Sequence, residues 1–181
     1  MRKKIIYYFN ICYNIVRFGF LKLIYGKSFQ IHLPFLISFS TKIDFSKDSF
    51  LSIGRGTRVL SNTFIATRSR AVLILGDNVF INRNTIIVAR NKIDISDGVT
   101  IGPNVCIYDH DHDIYSRGNF VCKDITIKSN VWIGANCTIL KGVTIGDNSV
   151  ISAGCIVSQD IPPNSILIQK RNNVIKLIDN G

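Results

Sequence analysis

Residues 131–166 read VWIGANCTILKGVTIGDNSVISAGCIVSQDIPPNSI. A β-branched residue recurs every six positions: Ile133, Ile139, Ile145, Ile151 and Val157, with Ile127 one step upstream. Four places after each of the six stands a small or apolar residue: Val131, Cys137, Val143, Ser149, Cys155 and Ile161. Gly134 and Gly146 directly follow their isoleucines. The same pattern occurs at Leu75, Ile81 and Ile87, and, after two extra residues, at Ile95, Ile101 and Ile107. Gly76 and Gly102 keep the glycine position, and a fainter copy surrounds "LSIGRG" at Ile53. A six-residue period is too short for a helical repeat. It suits a solenoid with one short strand and one turn per hexad. The repeat heads point into the coil and stack on successive rungs about 4.8 Å apart. Glycine and asparagine occupy the corners, where permissive backbone angles are needed. One turn buries little, so many must stack.

The composition agrees with a folded domain. The chain has 181 residues, 46% of them hydrophobic and 19% charged, a balance that excludes a disordered chain. A net charge of +10 points to anionic lipid or phosphorylated ligands. The cations are scattered and not interleaved with aromatics, and no zinc-finger or RNA-binding signature occurs, so no nucleic-acid partner is expected. The cysteine count of five is odd, with no C-x-x-C pair. Most of the cysteines sit at apolar positions of the repeat, so buried reduced thiols and a cytoplasmic setting are expected.

Residues 1–28 form a separate N-terminal segment. Its apolar run is broken by Asn10, Asn14, Arg17 and Lys22 and lacks a signal-peptide cleavage site, which weakens a transmembrane reading. On a helical wheel Lys3, Asn10, Asn14 and Arg17 share a narrow stripe, and the other faces carry Ile, Phe, Tyr and Leu. Such a helix lies in a membrane interface or packs on its own protein.

The repeat region, roughly residues 50–168, resembles the hexapeptide-repeat acyltransferases. It is most similar to sugar O-acetyltransferases of the galactoside, maltose and nodulation type and to acetyltransferases of capsule and O-antigen clusters. The resemblance implies an all-β fold, a left-handed parallel β-helix over residues 29–168, followed by a tail at 169–181. It also implies a homotrimer with active sites at subunit interfaces, and acetyl-CoA as co-substrate.

The ladder breaks after Ile107 and resumes at Ile127, leaving an extruded loop at about 109–126. It opens with "DHDHD", residues 109–113. Maltose-type relatives carry Ile-Tyr, three residues, then His; Ile107-Tyr108 followed by His112 matches, and the resemblance implies that His112 is the catalytic base. Capsule-type relatives show a similar D-H-x-H string, which leaves His110 as a rival. An imidazole base suits a sugar hydroxyl, which must lose its proton while attacking a thioester; such a base contributes roughly 10²–10⁴-fold. The hydroxyl attacks directly, so no acyl-enzyme cysteine is required. Asp109 and Asp111 are candidate orienting groups for the imidazoles. For the acceptor the resemblance implies the Asn82 of "FINRN", with Tyr108 and Asp113 as further candidates, although asparagine is also an ordinary corner residue in this repeat. For acetyl-CoA the resemblance implies Trp132, Gly134 and Ala135 in "VWIGA", and Ala153 with Gly154 in "SAG". Lys141, Lys170 and Arg171 are candidates for the cofactor phosphates. The family's usual Gly-x-Pro after the last strand is replaced here by "QKRNN", residues 169–173.

Other readings fit less well. A γ-type carbonic anhydrase needs three histidine ligands from neighbouring coils, and His32 is the sole further histidine. An Asp-x-Asp glycosyltransferase needs a nucleotide-binding α/β sheet. A calcium loop lacks its glycine and terminal glutamate. The expected chemistry requires no metal. The acceptor is expected to be a cell-surface glycan or its lipid-linked precursor, met in the cytoplasm or at the inner membrane face. The alternatives are N-acetylation of an amino sugar on a nucleotide or lipid carrier, and a non-enzymatic solenoid that binds membrane surfaces.

Overall fold

The computed structural model describes residues 2–170. From Phe29 to Leu167 the chain winds as a parallel β-solenoid whose three faces are sheets of six, seven and six strands. The first face begins at Phe29–Ile31, the second at Leu36–Ile37 and the third at Lys42–Phe45. Each hexad contributes one rung to one face, and every pairing between coils is parallel.

The six-residue period becomes columns of like side chains. On the first face Ile53, Leu75, Ile95, Ile127 and Ile145 stack in register. On the second, Ile37, Val59, Ile81, Ile101, Ile133 and Ile151 do the same. On the third the column is Ile65, Ile87, Ile107, Ile139 and Val157. All are buried. Because each column repeats along the axis, the core is a continuous rod, and its apolar burial is the main stabilising term.

The position four places after most heads is also buried, Ser69, Asn91 and Asp111 on the third face excepted, and in several coils it carries a hydroxyl. Thr57 and Thr85 donate to the carbonyls of Gly76 and Gly102 in the next coil, and Ser149 to that of Pro162. The hydrogen bond removes the cost of burying the polar atom. Corner asparagines such as Asn84, Asn104 and Asn136 adopt φ of 58–59°, a left-handed conformation that asparagine tolerates well. Their amides form a ladder of 3.1 Å bonds, Asn84 to Asn104 to Asn136.

A helix, α1 (Arg2–Tyr25), lies across the first coil. Two residues of its polar stripe, Asn14 and Arg17, face inward. Buried Asn14 donates to the Ile37 carbonyl at 2.7 Å, and Arg17 donates to the Thr41 carbonyl at 2.9 Å. These carbonyls belong to the end of the solenoid, where no preceding rung supplies donors. Phe18 enters the core between Phe29 and Phe35, with ring centroids 5.9 and 5.1 Å away. Tyr25 meets Phe45 edge-on at 4.6 Å. The helix therefore packs on its own protein as a cap over the open end. Among the described residues no helix is long and apolar enough to cross a membrane.

Candidate active site

The third-face strand Cys106–Tyr108 delivers the chain to Asp109, where it leaves the solenoid. The sequence suggests an irregular loop here. The structure instead folds its base into an antiparallel hairpin, His110–His112 against Phe120–Cys122. The hairpin is closed by Asp113 N–H to the Asn119 carbonyl, 3.0 Å, and rooted by Lys123 N–H to the Asp109 carbonyl, 2.9 Å. Ile114 and Tyr115 are exposed at its tip.

The two-residue period of a strand sorts the acidic and basic groups. His110 and His112 fall on one side, and both contact the Phe120 ring, at centroid distances of 5.5 and 4.7 Å. Asp111 falls on the other side and pairs with Lys141. Asp113 is used within the turn, accepting the Tyr115 N–H at 2.9 Å. Asp109 points into the protein and is fully buried. Its carboxylate accepts the Arg90 N–H at 2.9 and 3.0 Å and the Asn91 N–H at 2.7 Å. Its Oδ1 also lies 3.0 Å from His110 Nδ1. With the proton on Nδ1, His110 donates to this carboxylate and keeps Nε2 as an acceptor. The His110 side chain is only 13% exposed, whereas His112 is open to solvent.

Two contributors escaped the sequence reading. Phe120 is the platform for both imidazoles, and the Arg90 guanidinium lies 3.4 Å from its ring centroid, a cation–π contact. The hairpin register and the stacking of Asp109 over the Arg90–Asn91 turn reveal them, and neither is visible along the chain. Tyr108 sits at the hairpin root, where burial and its neighbour Cys106 push its phenol up to about 12. Burial, and secondarily the Asp109 charge, raises the Cys122 thiol above its ordinary value.

A second feature lies on the second face. A groove of about 540 Å³ is lined by Asn82, Trp132, Gly134, Ala135 and Ala153 together with Phe80 and Thr100. Trp132 is exposed and faces outward between Thr100 and Val150, its register partners on the neighbouring coils. Gly134 is required by packing: a Cβ there would stand 2.6 Å from the Ala153 nitrogen. Asn82 differs from the corner asparagines. Asn84 takes the left-handed corner, while the Asn82 Oδ1 accepts the Arg83 N–H at 2.8 Å, which leaves its amide donors for a ligand. Gly154 stands at the next corner with φ +76°.

The three expected phosphate contacts are not gathered here. Lys141 pairs with Asp111 at the hairpin, because the strand Thr138–Ile139 stacks directly on Cys106–Ile107. Lys170 lines a different groove of about 360 Å³ beside Ile156 and Gln169. Arg171 lies outside the described residues. No histidine lines the 540 Å³ groove either: the hairpin leaves from the end of the third face and the groove runs along the second. Among the described residues no group of three or more His, Cys, Asp or Glu is placed to hold a metal ion, since the three aspartates of the cluster turn to three different partners. The groove suits a slender chain such as a pantetheine arm, for its lining mixes the small residues Gly102, Gly134, Ala135 and Ala153 with the aromatic rings of Phe80 and Trp132.

A family model described as bacterial transferase hexapeptide (six repeats) matches residues 124–159. The galactoside O-acetyltransferase of Escherichia coli K12 is 37% identical over 137 residues, 74% of this chain and 66% of the relative. That of Lactococcus lactis is 34% identical over 129 residues, 69% of this chain and 62% of the relative. The chain thus spans less than two thirds of the length of these curated relatives. Among solved structures, a hexapeptide-repeat acetyltransferase from Vibrio cholerae complexed with acetyl coenzyme A is 28% identical, with a TM-score of 0.57 over 84% of this chain and 71% of that one. An N-acyltransferase from Bacillus cereus shares the fold at 20% identity and a TM-score of 0.70, over 90% and 89% of the two chains.

Proposed function

This chain belongs to the hexapeptide-repeat acetyltransferase family, and we propose that it transfers an acetyl group from acetyl-CoA to a hydroxyl of a sugar. The observation that carries this reading is the convergence of Asn82, Trp132, Gly134, Ala135 and Ala153 in one groove. The resemblance assigns these residues to the acceptor and the donor.

Acetyl-CoA, when bound, supplies an activated thioester carbonyl. Trp132, Gly134, Ala135 and Ala153 would hold its arm along the second face. The exposed imidazole of His112 takes the proton of the acceptor hydroxyl as its oxygen attacks, and returns that proton to the departing thiol. A general base must come within about 2.6–3.2 Å of the oxygen it deprotonates, which favours the exposed His112 over the mostly covered His110. Asp109 and His110 then act as positioning residues that fix the hairpin. The Asp109–His110 contact also supports a second reading, in which His110 is the base and Asp109 orients it as in catalytic triads. The cysteines are free thiols, with Cys137 and Cys155 buried, and direct attack needs none of them.

Hairpin and groove lie on different faces of one chain, so we propose a homotrimer in which the hairpin of one copy meets the groove of the next. The acceptor we favour is a unit of a cell-surface polysaccharide, modified in the cytoplasm before export. A screen of sugars and amino sugars with acetyl-CoA, read by mass spectrometry, tests this: an acceptor gaining an acetyl group at oxygen supports the reading. Transfer only to amino groups would replace it with N-acetylation, and release of no free CoA thiol with any acceptor would overturn it.

A further inference from the structure

We propose that the outward face of α1 is a docking surface for an anionic lipid bilayer, while its inward face caps the solenoid. The two roles are compatible because the helix is built inside out. Its polar residues Asn14 and Arg17 are spent on the carbonyls of the first coil, and from Phe9 onward the side opposite them is apolar. Phe9, Ile15, Val16, Phe20, Leu23 and Ile24 are all exposed, Val16 by 73% and Leu23 by 83%. At about 100° per residue these positions cover an arc of roughly 180°. Between Phe9 and Tyr25 that arc contains no charged residue.

The width of the arc and the charge around it identify the occupant. A partner helix covers a narrow seam of a and d positions, whereas a bilayer surface accepts half a helix circumference at once. The arc is bordered by cations. Lys22 and Lys27 are exposed and, with His32, line a groove of about 410 Å³ at the C-terminal end of the helix. No aspartate or glutamate precedes Asp44 in the sequence, so nothing acidic on this end of the chain repels a phosphate headgroup. An interfacial helix normally keeps its polar face in water; here the solenoid takes the place of water. The proposal is independent of the acetyl-transfer reading.

The full-length protein tests it by sedimentation with phosphatidylcholine vesicles, with and without phosphatidylglycerol. The unaltered chain should sediment with the anionic vesicles and release at high salt. Val16→Ser, Phe20→Ser and Leu23→Ser combined should reduce the bound fraction at least about tenfold, and Leu23→Asp alone should weaken it without touching the inward face. Lys22→Gln with Lys27→Gln should remove most of the preference for phosphatidylglycerol. Circular dichroism and light scattering on each variant should match the unaltered chain. Equal sedimentation of the triple variant, or no sedimentation of the unaltered chain, overturns the proposal. So does a fall in molecular mass of the triple variant, which would make the face a contact between copies.

Discussion

His110 Nδ1 stands 3.0 Å from Oδ1 of Asp109, a carboxylate that solvent does not reach and that backbone N–H groups of Arg90 and Asn91 hold in place. The pair ties the root of the hairpin to the coil below it. His112, two residues on, shares the Phe120 platform but is free of this anchor. Structure and register thus divide the two histidines into an anchored one and an accessible one.

His112→Ala should lower kcat at least about 10²-fold with little change in the KM for acetyl-CoA, as expected for loss of a base used in the transition state. His110→Ala should cost less activity and more stability. Steady-state kinetics of the two variants, with their melting curves, decide the matter. Activity abolished by His110→Ala but spared by His112→Ala would make Asp109 and His110 the working pair.

Asp109→Asn should destabilise the protein by about 1–3 kcal/mol. An amide nitrogen would face the N–H groups of Arg90 and Asn91, leaving buried donors without an acceptor. Denaturant unfolding measures this; an unchanged midpoint would mean that the carboxylate is not the anchor.

Gly134→Ala should cost about 1–3 kcal/mol by overpacking, because its Cβ would meet the Ala153 nitrogen at 2.6 Å. Thermal melts check this, and an unshifted melt would show that the coils can part here without cost.

Mixing should distinguish a shared site from a self-contained one. A His112→Ala chain keeps its groove, and a chain carrying Asn82→Ala and Trp132→Ala keeps its hairpin. If hairpin and groove come from different copies, refolding the two inactive chains together should restore part of the activity. Two chains that stay inactive when co-assembled would argue for a site within one copy.

Phe18→Ala should cost about 3–5 kcal/mol, the usual loss for a buried phenylalanine, since the ring is covered by Phe29 and Phe35. Deleting residues 1–25 should do worse, exposing the end of the core and leaving the Ile37 and Thr41 carbonyls without their side-chain donors; aggregation or a sharply lower melt is expected. A truncated chain as stable as the full one would deny the helix its capping role.

The core was legible in the sequence because its cause is local. Ile127, Ile133 and Ile139 lie inside because every sixth residue returns to the same orientation, and chain spacing records that directly. The corner asparagines and the N-terminal helix were legible for the same reason. The candidate site was legible only in part. "DHDHD" names the chemistry, but its aspartates look alike in sequence. Only the coil below turns Asp109 inward, only the coil above gives Asp111 its lysine, and only the hairpin register brings Phe120 beneath both imidazoles. The groove likewise joins residues 82, 132 and 153, which are distant along the chain and adjacent only because rungs stack. The helix shows the limit most clearly. Its polar stripe could be read from the wheel, but whether that stripe met water or protein depended on unpaired carbonyls at Ile37 and Thr41, a property of the solenoid's open end and not of the helix. Periodicity acts within a hexad and is written in the sequence. Contacts between coils depend on loop lengths and end effects, and only the tertiary structure decides them.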